Sequence, residues 1–513
     1  MDKTMQVEVN IDGERKTIEL SQAIQLTRQK SRRYPQAAID LANAILDQQP
    51  AILPLYHLLF ALLNKHTQYV LLESSALQAI SYFPNDGVSH FALAAAQRHA
   101  RKPMQSLASL EKATVLMPEQ IHWLLQLAIQ YKERGDFSKA LSLFNQCALH
   151  EQTMAEALYW RYNIDKKLRA VEVDTLVDRL HTQLSSPNHS AIHAAFCLYQ
   201  YFEQQEDFES AWHYLEIANK LKHQQLKQQS AYSIEHELKE HHLIPKYFSQ
   251  DLIAHSHRNK TCPSTSPSIF ICGLPRSGTT LTEQILSAHS KICAGDELFA
   301  LAQASADVLH EHSITANFPT WSTSLEGGQW QKIGKKYQHL TQPILNADEK
   351  AVWLTDKMPL NYKAIGIIRL ALPSAKIIYC RRNPIDVLFG CFKQLLGDGN
   401  PYCYNLDELC DMIIAHHRVM MHWLTVCPEH IHVFDYEKLL ANQTQLTDQL
   451  LKFIGIEWQQ DCLDFHQNKR IVHTISNVQI RQPLSTSNNG AWRPYQAQLQ
   501  PYIDKIKNAG IAY

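Results

Sequence analysis

A chain of 513 residues is longer than one hydrophobic core organises, and it implies at least two domains. Its 49 basic residues are balanced by 50 acidic ones, which argues against nucleic acid as a bulk partner but leaves room for a local basic pocket holding one small polyanion. No apolar run approaches the ~20 residues that cross a bilayer, and residues 1–20 are polar where a secretory leader would be apolar. The 11 cysteines contain no C-x-x-C pair. Together these predict a cytoplasmic protein with free thiols, no membrane insertion and no metal cluster.

The first half repeats. Pro50, Pro84 and Pro118 lie 34 residues apart, the period of the tetratricopeptide helix–turn–helix unit, which hides its apolar face by stacking on its neighbours. The clearest copy follows Pro118: Leu124, Leu127, Ala128 and Tyr131, then Gly135-Asp136-Phe137, then Ala140 and Phe144. Small residues at 128 and 140 let paired helices approach, and Gly135-Asp136 supplies the turn. Another copy runs Leu198, Tyr199, Phe202, Glu206-Asp207-Phe208, Ala211, Leu215, Ala218. The predicted organisation is a helical repeat domain over 1–256, a Ser/Thr/Pro-rich linker over 257–267, and a different domain over 268–513.

That second domain opens with an apolar β-branched run, Ser268–Cys272, read as a buried strand. It enters Gly273-Leu274-Pro275-Arg276-Ser277-Gly278-Thr279-Thr280 and then a helix. Strand, glycine loop and helix N-terminus together make an anion cradle, because inward-turned N–H groups and the helix dipole both favour phosphate. A nucleotide triphosphatase loop of this spacing carries Lys after its second glycine. Here that position is Thr279, and the cation sits inside the loop at Arg276. A phosphotransferase would lack its main charge on the transferred group, so the loop suits a donor whose transferred group is less charged.

PRSGTT after a strand resembles the 5′-phosphosulfate loop of the sulfotransferases, and is especially similar to the tyrosylprotein type and to bacterial sulfotransferases fused to tetratricopeptide repeats. The resemblance implies 3′-phosphoadenosine 5′-phosphosulfate (PAPS) as donor, with Pro275, Arg276, Ser277, Gly278, Thr279 and Thr280 around its 5′ end and no metal required. By the same resemblance Glu297, 21 residues beyond Arg276 in Gly295-Asp296-Glu297, is the general base. Asp296 is the alternative base, and a solvated helix cap is the plain reading of Glu297. Lys357, in Thr355-Asp356-Lys357-Met358-Pro359, would stabilise charge on the bridging oxygen beside Arg276. Arg382, after the strand Lys376–Arg381, resembles the 3′-phosphate ligand, with Arg381 a spare cation. The family places Ser eight residues later, but position 390 is Gly, so one hydroxyl contact is missing or replaced. Tyr436 begins a Y-E-x-L pattern, and Ser476 and Arg481 lie in a segment resembling the one that folds over the nucleotide. Trp492 and Tyr495 either stack on adenine or, as expected, pack the terminus.

The predicted architecture is an α-solenoid of tetratricopeptide-type repeats followed by a P-loop-like α/β domain, its mostly parallel central sheet flanked by helices. The implied activity is sulfuryl transfer from PAPS to an acceptor hydroxyl, such as tyrosine on a peptide or protein held by the repeats. A carbohydrate or small-molecule acceptor fits the same chemistry. A metal-dependent phosphotransferase and an inactive repeat scaffold are the rival readings.

Overall fold

The computed structural model describes residues 5–11, 14–165, 173–184, 189–258, 267–468, 470–472, 474–486 and 488–512. The chain divides into two compact units, residues 1–165 and 166–513. Of the linker expected over 257–267, residues 259–266 lie outside the described residues.

Unit 1 opens with an antiparallel hairpin of β1 (Gln6–Ile11) and β2 (Glu14–Glu19), whose alternate residues Val7 and Val9 join the apolar core. Helices follow: α1 (Leu20–Arg33), α2 (Pro35–Gln48), α3 (Leu53–Lys65), α4 (Tyr69–Tyr82), α5 (Gly87–His99), α6 (Pro103–Leu116), α7 (Ile121–Arg134), α8 (Phe137–Cys147) and α9 (Met154–Ile164). The starts of α3, α5 and α7 are 34 residues apart, and those of their partners α4, α6 and α8 keep the same spacing. Each helix packs on the next, and α3 also meets α5 as α7 meets α9. Small residues make these approaches possible: Ala76, Ala79, Ala96, Ala113, Ala128 and Ala140 are all fully buried.

The period also appears in the turns. Each hairpin reverses through one left-handed residue at the same place: Thr67 (φ 56°), Arg101 (φ 58°) and Gly135 (φ 89°). The following N–H reaches back to a carbonyl of the preceding helix, from Gln68 to Leu63, Lys102 to Gln97 and Asp136 to Tyr131, each at 2.9 Å. This satisfies carbonyls that the helix end leaves open. Asp86 and Asp136 then cap the next helices, accepting from the Ser89 and Lys139 N–H groups at 2.8 and 3.3 Å.

Unit 2 begins with α10 (Val173–Leu184), α11 (His189–Gln204), α12 (Phe208–Gln229), α13 (Ile234–Tyr247) and α14 (Gln250–Arg258). The repeat-like segment from Leu198 to Ala218 forms the α11–α12 hairpin, with Glu206 left-handed and Asp207 capping α12. This hairpin falls in unit 2 because α12 is bonded to later parts of the chain. Asn219 donates to the Phe392 carbonyl at 2.9 Å, buried Lys222 to Asp398 at 2.8 Å, and the His223 ring lies 3.1 Å from Glu408.

The rest is an α/β layer structure. Its elements are β3 (Ser268–Cys272), α15 (Thr279–Leu286), β4 (Ile292–Ala294), α16 (Ala300–Glu311), α17 (Gly327–Asn346), β5 (Trp353–Asp356), α18 (Ile365–Ala371), β6 (Lys376–Arg381), α19 (Pro384–Phe392), α20 (Leu406–Val426), β7 (Ile431–Asp435), α21 (Tyr436–Ala441), α22 (Gln443–Ile454) and α23 (Gln496–Asn508). The sheet order is β4-β5-β3-β6-β7, with every pair parallel. Strand β3 is buried along its whole length. Phe270 and Cys272 join a core that includes Tyr337 and Ile368, while Ile269 and Ile271 join one that includes Ile285 and Leu450. Burial on both faces is what a parallel sheet between helices requires, and it explains the uninterrupted apolar strand. From β3 the chain moves first toward β5 and β4, and later to β6 and β7 on the other side. The crevice at the carboxyl end of β3 is therefore the topological switch point, where such folds bind ligands.

Among the described residues, no helix is long and apolar enough to cross a membrane.

A β-branched residue at positive φ is strained, and Thr67 occupies the place that Gly135 fills in the third hairpin. Thr67→Gly is expected to stabilise that turn by about 0.5–1 kcal/mol. The gain would be read as slower amide exchange in α3 and α4.

Candidate functional site

The loop leaving β3 is shaped by alternating handedness. Arg276 (φ 66°) and Gly278 (φ 103°) are both left-handed, with helix α15 beginning at Thr279. Such a sequence of conformations turns successive N–H groups toward one point, and the helix N-terminus adds its dipole. Position 278 must be glycine for a second reason: a Cβ there would meet the Tyr436 ring at 3.1 Å. Tyr436 stands at the carboxyl end of β7, so the far strand forms one wall of the loop.

The loop arginine reaches a segment 200 residues away. Arg276 donates through Nη1 to Ser476 Oγ at 2.6 Å and through Nη2 to Gln479 Oε1 at 3.0 Å. Thr280 Oγ1 lies 3.3 Å from Thr474 Oγ1. A cavity follows this line, walled by Arg276, Gly278, Thr280, Arg382, Tyr436 and Ser476. Arg382 lies across the Tyr436 ring with its guanidinium 4.5 Å from the centroid, and donates to the carbonyls of Arg276 and Asn488 at 3.1 and 3.0 Å. The neighbouring Arg381 instead pairs with Asp435 at 2.7 Å. Arg481 donates to the Arg470 carbonyl at 2.8 Å, and burial, then the charge of Arg470, lower its pKa.

At the other side of β3, two strand ends bring the expected base and lysine together. Lys357 follows β5; its side chain is buried, and its Nζ lies 2.8 Å from Oε1 of half-exposed Glu297. The backbone holds this pair, since Lys357 N–H donates to the Asp296 carbonyl at 2.9 Å. Gly295 is required by close approach: a Cβ there would lie 2.1 Å from the Thr355 carbonyl oxygen. Asp296 is left-handed (φ 54°), and its Oδ1 accepts from Arg470 Nη1 at 2.8 Å.

Arg470 and Glu283 escaped the reading by motif. Glu283 is completely buried on α15, and its Oε2 accepts from Arg470 Nη2 at 2.8 Å. Burial pushes the Glu283 carboxyl up, opposed by Arg470, while Glu283 and Asp296 outweigh burial on Arg470 and hold its guanidinium charged. The available signal was a glutamate inside the run LTEQIL, on a helix whose neighbours are core residues. Tyr495 is buried against Phe208, Trp212 and Phe389, and so packs the terminus as expected. Among the described residues, no group of three or more His, Cys, Asp or Glu is placed to hold a metal ion.

Position 390, on α19, faces the loop. A Cβ there would stand 3.4 Å from Arg276 Cβ, an ordinary contact, so the glycine is not imposed by crowding. Gly390→Ser is expected to fold normally and to add one charge-assisted hydrogen bond to an anion in the loop, worth roughly tenfold in affinity. Calorimetric titration of the two proteins with adenosine 3′,5′-bisphosphate (PAP) checks this; unchanged affinity would place the bound anion away from α19.

Residues 267–460 match the model of the sulfotransferase family. The chain is 27% identical over 345 residues to an uncharacterized protein of Aquifex aeolicus, covering 65% of this chain and 44% of that one. It is 25% identical over 301 residues to protein-tyrosine sulfotransferase 1 of Danio rerio, covering 54% of this chain and 79% of the relative. This chain thus spans less than half of the Aquifex protein's length. Among solved structures, the sulfotransferase domain of the Synechococcus PCC 7002 olefin synthase is similar with a TM-score of 0.36 and 17% identity, over 50% of this chain and 98% of that one.

Proposed function

On the match of residues 267–460 to the sulfotransferase family model, we propose that this chain transfers a sulfuryl group from PAPS to an acceptor hydroxyl. The observation that carries the reading is the pairing of two features at neighbouring strand ends. One is a phosphate loop whose cation, Arg276, lies within the loop; the other is the Glu297–Lys357 pair at 2.8 Å. Bound PAPS would supply the sulfuryl group and a leaving phosphate.

The roles follow from the chemistry of each side chain. Glu297, half exposed, takes the proton of the acceptor hydroxyl as that oxygen bonds to sulfur. The S–O bond to the phosphate breaks, and its electron pair remains on the bridging oxygen. Lys357, Arg276 and the loop N–H groups of Gly278, Thr279 and Thr280 stabilise that charge where it develops. Thr279 and Thr280 begin the helix that faces the 5′ phosphate. Arg382, Tyr436 and Ser476 line the adjoining cavity and hold the nucleotide, with Arg481 supporting the same segment through the Arg470 carbonyl.

Tyrosine on a peptide or protein is the acceptor we favour, supported by the likeness to protein-tyrosine sulfotransferase 1. The helical hairpins of unit 1 are the proposed surface for such a chain, since stacked hairpins present extended grooves to peptides.

Glu297→Gln keeps the shape of the base but not its proton affinity. Sulfuryl transfer from labelled PAPS to tyrosine peptides is expected to fall roughly 10²–10⁴-fold, with PAP affinity kept within a few-fold. A Glu297→Gln protein as active as the parent would end the assignment of Glu297 as base.

A further inference from the structure

The geometry points to Arg470 and Glu283 as positioning residues that set the posture of the Gly295–Glu297 turn, and through it the base Glu297; the inference rests on the function proposed above.

Almost every polar group of that turn is committed. Gly295 N–H donates to Thr355 Oγ1 at 3.1 Å, and Thr355 Oγ1 in turn donates to Glu283 Oε1 at 2.7 Å. Asp296 N–H donates to the same Glu283 oxygen at 3.1 Å. The Asp296 carboxylate is taken by Arg470, and its carbonyl by the Lys357 N–H. A left-handed aspartate costs energy on its own. Here three hydrogen bonds hold it, from three separate parts of the chain: Glu283 on helix α15, Lys357 just past strand β5, and Arg470. Because Asp296 and Glu297 are adjacent, fixing the first fixes the direction in which the second leaves the backbone.

The arrangement also divides labour between the two acids. Two carboxylates, Glu283 and Asp296, share one guanidinium that is itself buried. Protonating Asp296 would surrender a charge-assisted bond to Arg470. Asp296 therefore serves as a strut, while half-exposed Glu297 carries the reacting carboxylate. Arg470 adds a third tie through Nε, which donates to Gln284 Oε1 at 2.9 Å on the phosphate-loop helix. Loop and base turn are thus referred to one rigid group.

The test compares Arg470→Lys, Arg470→Gln, Glu283→Gln and Thr355→Val with the parent protein and Glu297→Gln, measuring kcat, the KM for PAPS, PAP affinity and thermal stability. Misplacing a reacting group by about 1 Å costs roughly 10²-fold. Arg470→Gln is expected to lose kcat by that order while PAPS KM and PAP affinity stay within roughly threefold, with Arg470→Lys recovering part of the loss. Thr355→Val removes one hydroxyl from the network, and with it one donor to Glu283, while leaving every charged group in place. It is expected to lower kcat roughly tenfold, and it decides the matter if the arginine variants do not fold. Equal losses of kcat, PAP affinity and stability would mark a structural role only and overturn the inference, as would Thr355→Val and Arg470→Lys proteins with parental kcat. If Glu297→Gln itself keeps parental activity, the function proposed above fails, and this inference with it.

Discussion

Strand β3 is hydrogen-bonded to a parallel neighbour on each side and buried on both faces, so the chain can change character only at its ends. At the carboxyl end it must reverse within a few residues to start α15, and Arg276 and Gly278 do so by adopting left-handed conformations. A loop built this way turns N–H groups toward one point, which favours an anion before any side chain is considered. The remaining functional groups follow from the same geometry. Asp296-Glu297, Lys357, Arg382 and Tyr436 all begin where a strand of this sheet stops.

The site has two halves with different electrostatics. On the β6 and β7 side, the Arg382 guanidinium stands 4.5 Å from the centre of the Tyr436 ring and is held by backbone carbonyls, which orient its charge without neutralising it. On the β4 and β5 side, charges are paired and largely buried: Lys357 with Glu297, and Arg470 with Glu283 and Asp296. Buried pairs contribute little net stability, since desolvation offsets attraction, but each partner is costly to remove alone. They hold the site in one arrangement. Arg470, Ser476 and Gln479 join the halves, the first contacting the Gly295–Glu297 turn and the other two the loop after β3.

Much of this was legible in the sequence, for identifiable reasons. The 34-residue period was visible because its prolines and its Gly-Asp turn recur at fixed offsets, and the helix starts keep that spacing. The phosphate loop was visible because its chemistry is local: glycine, arginine and hydroxyls within eight residues of an apolar strand. Glu297 and Lys357 were named by resemblance, and the structure brings them together. Arg470 and Glu283 were not legible, because a pair 187 residues apart leaves no pattern in either neighbourhood. The placement of the α11–α12 hairpin was hidden for a similar reason. Its repeat-like spacing describes the hairpin alone, whereas Asn219, Lys222 and His223 bond to residues more than 170 positions away. Arg381 and Arg382 read alike in sequence, and Asp435 across the sheet separates them.

The central claim is that a phosphate loop with its cation at Arg276 selects a phosphosulfate nucleotide over a metal-bound triphosphate. Calorimetric titration of the full chain and its Arg276→Ala variant with PAP, and separately with ATP and Mg²⁺, tests it directly. The account predicts micromolar PAP binding that the substitution weakens at least tenfold, with ATP–Mg²⁺ bound far more weakly by the parent. Tight ATP–Mg²⁺ binding without PAP binding would contradict it.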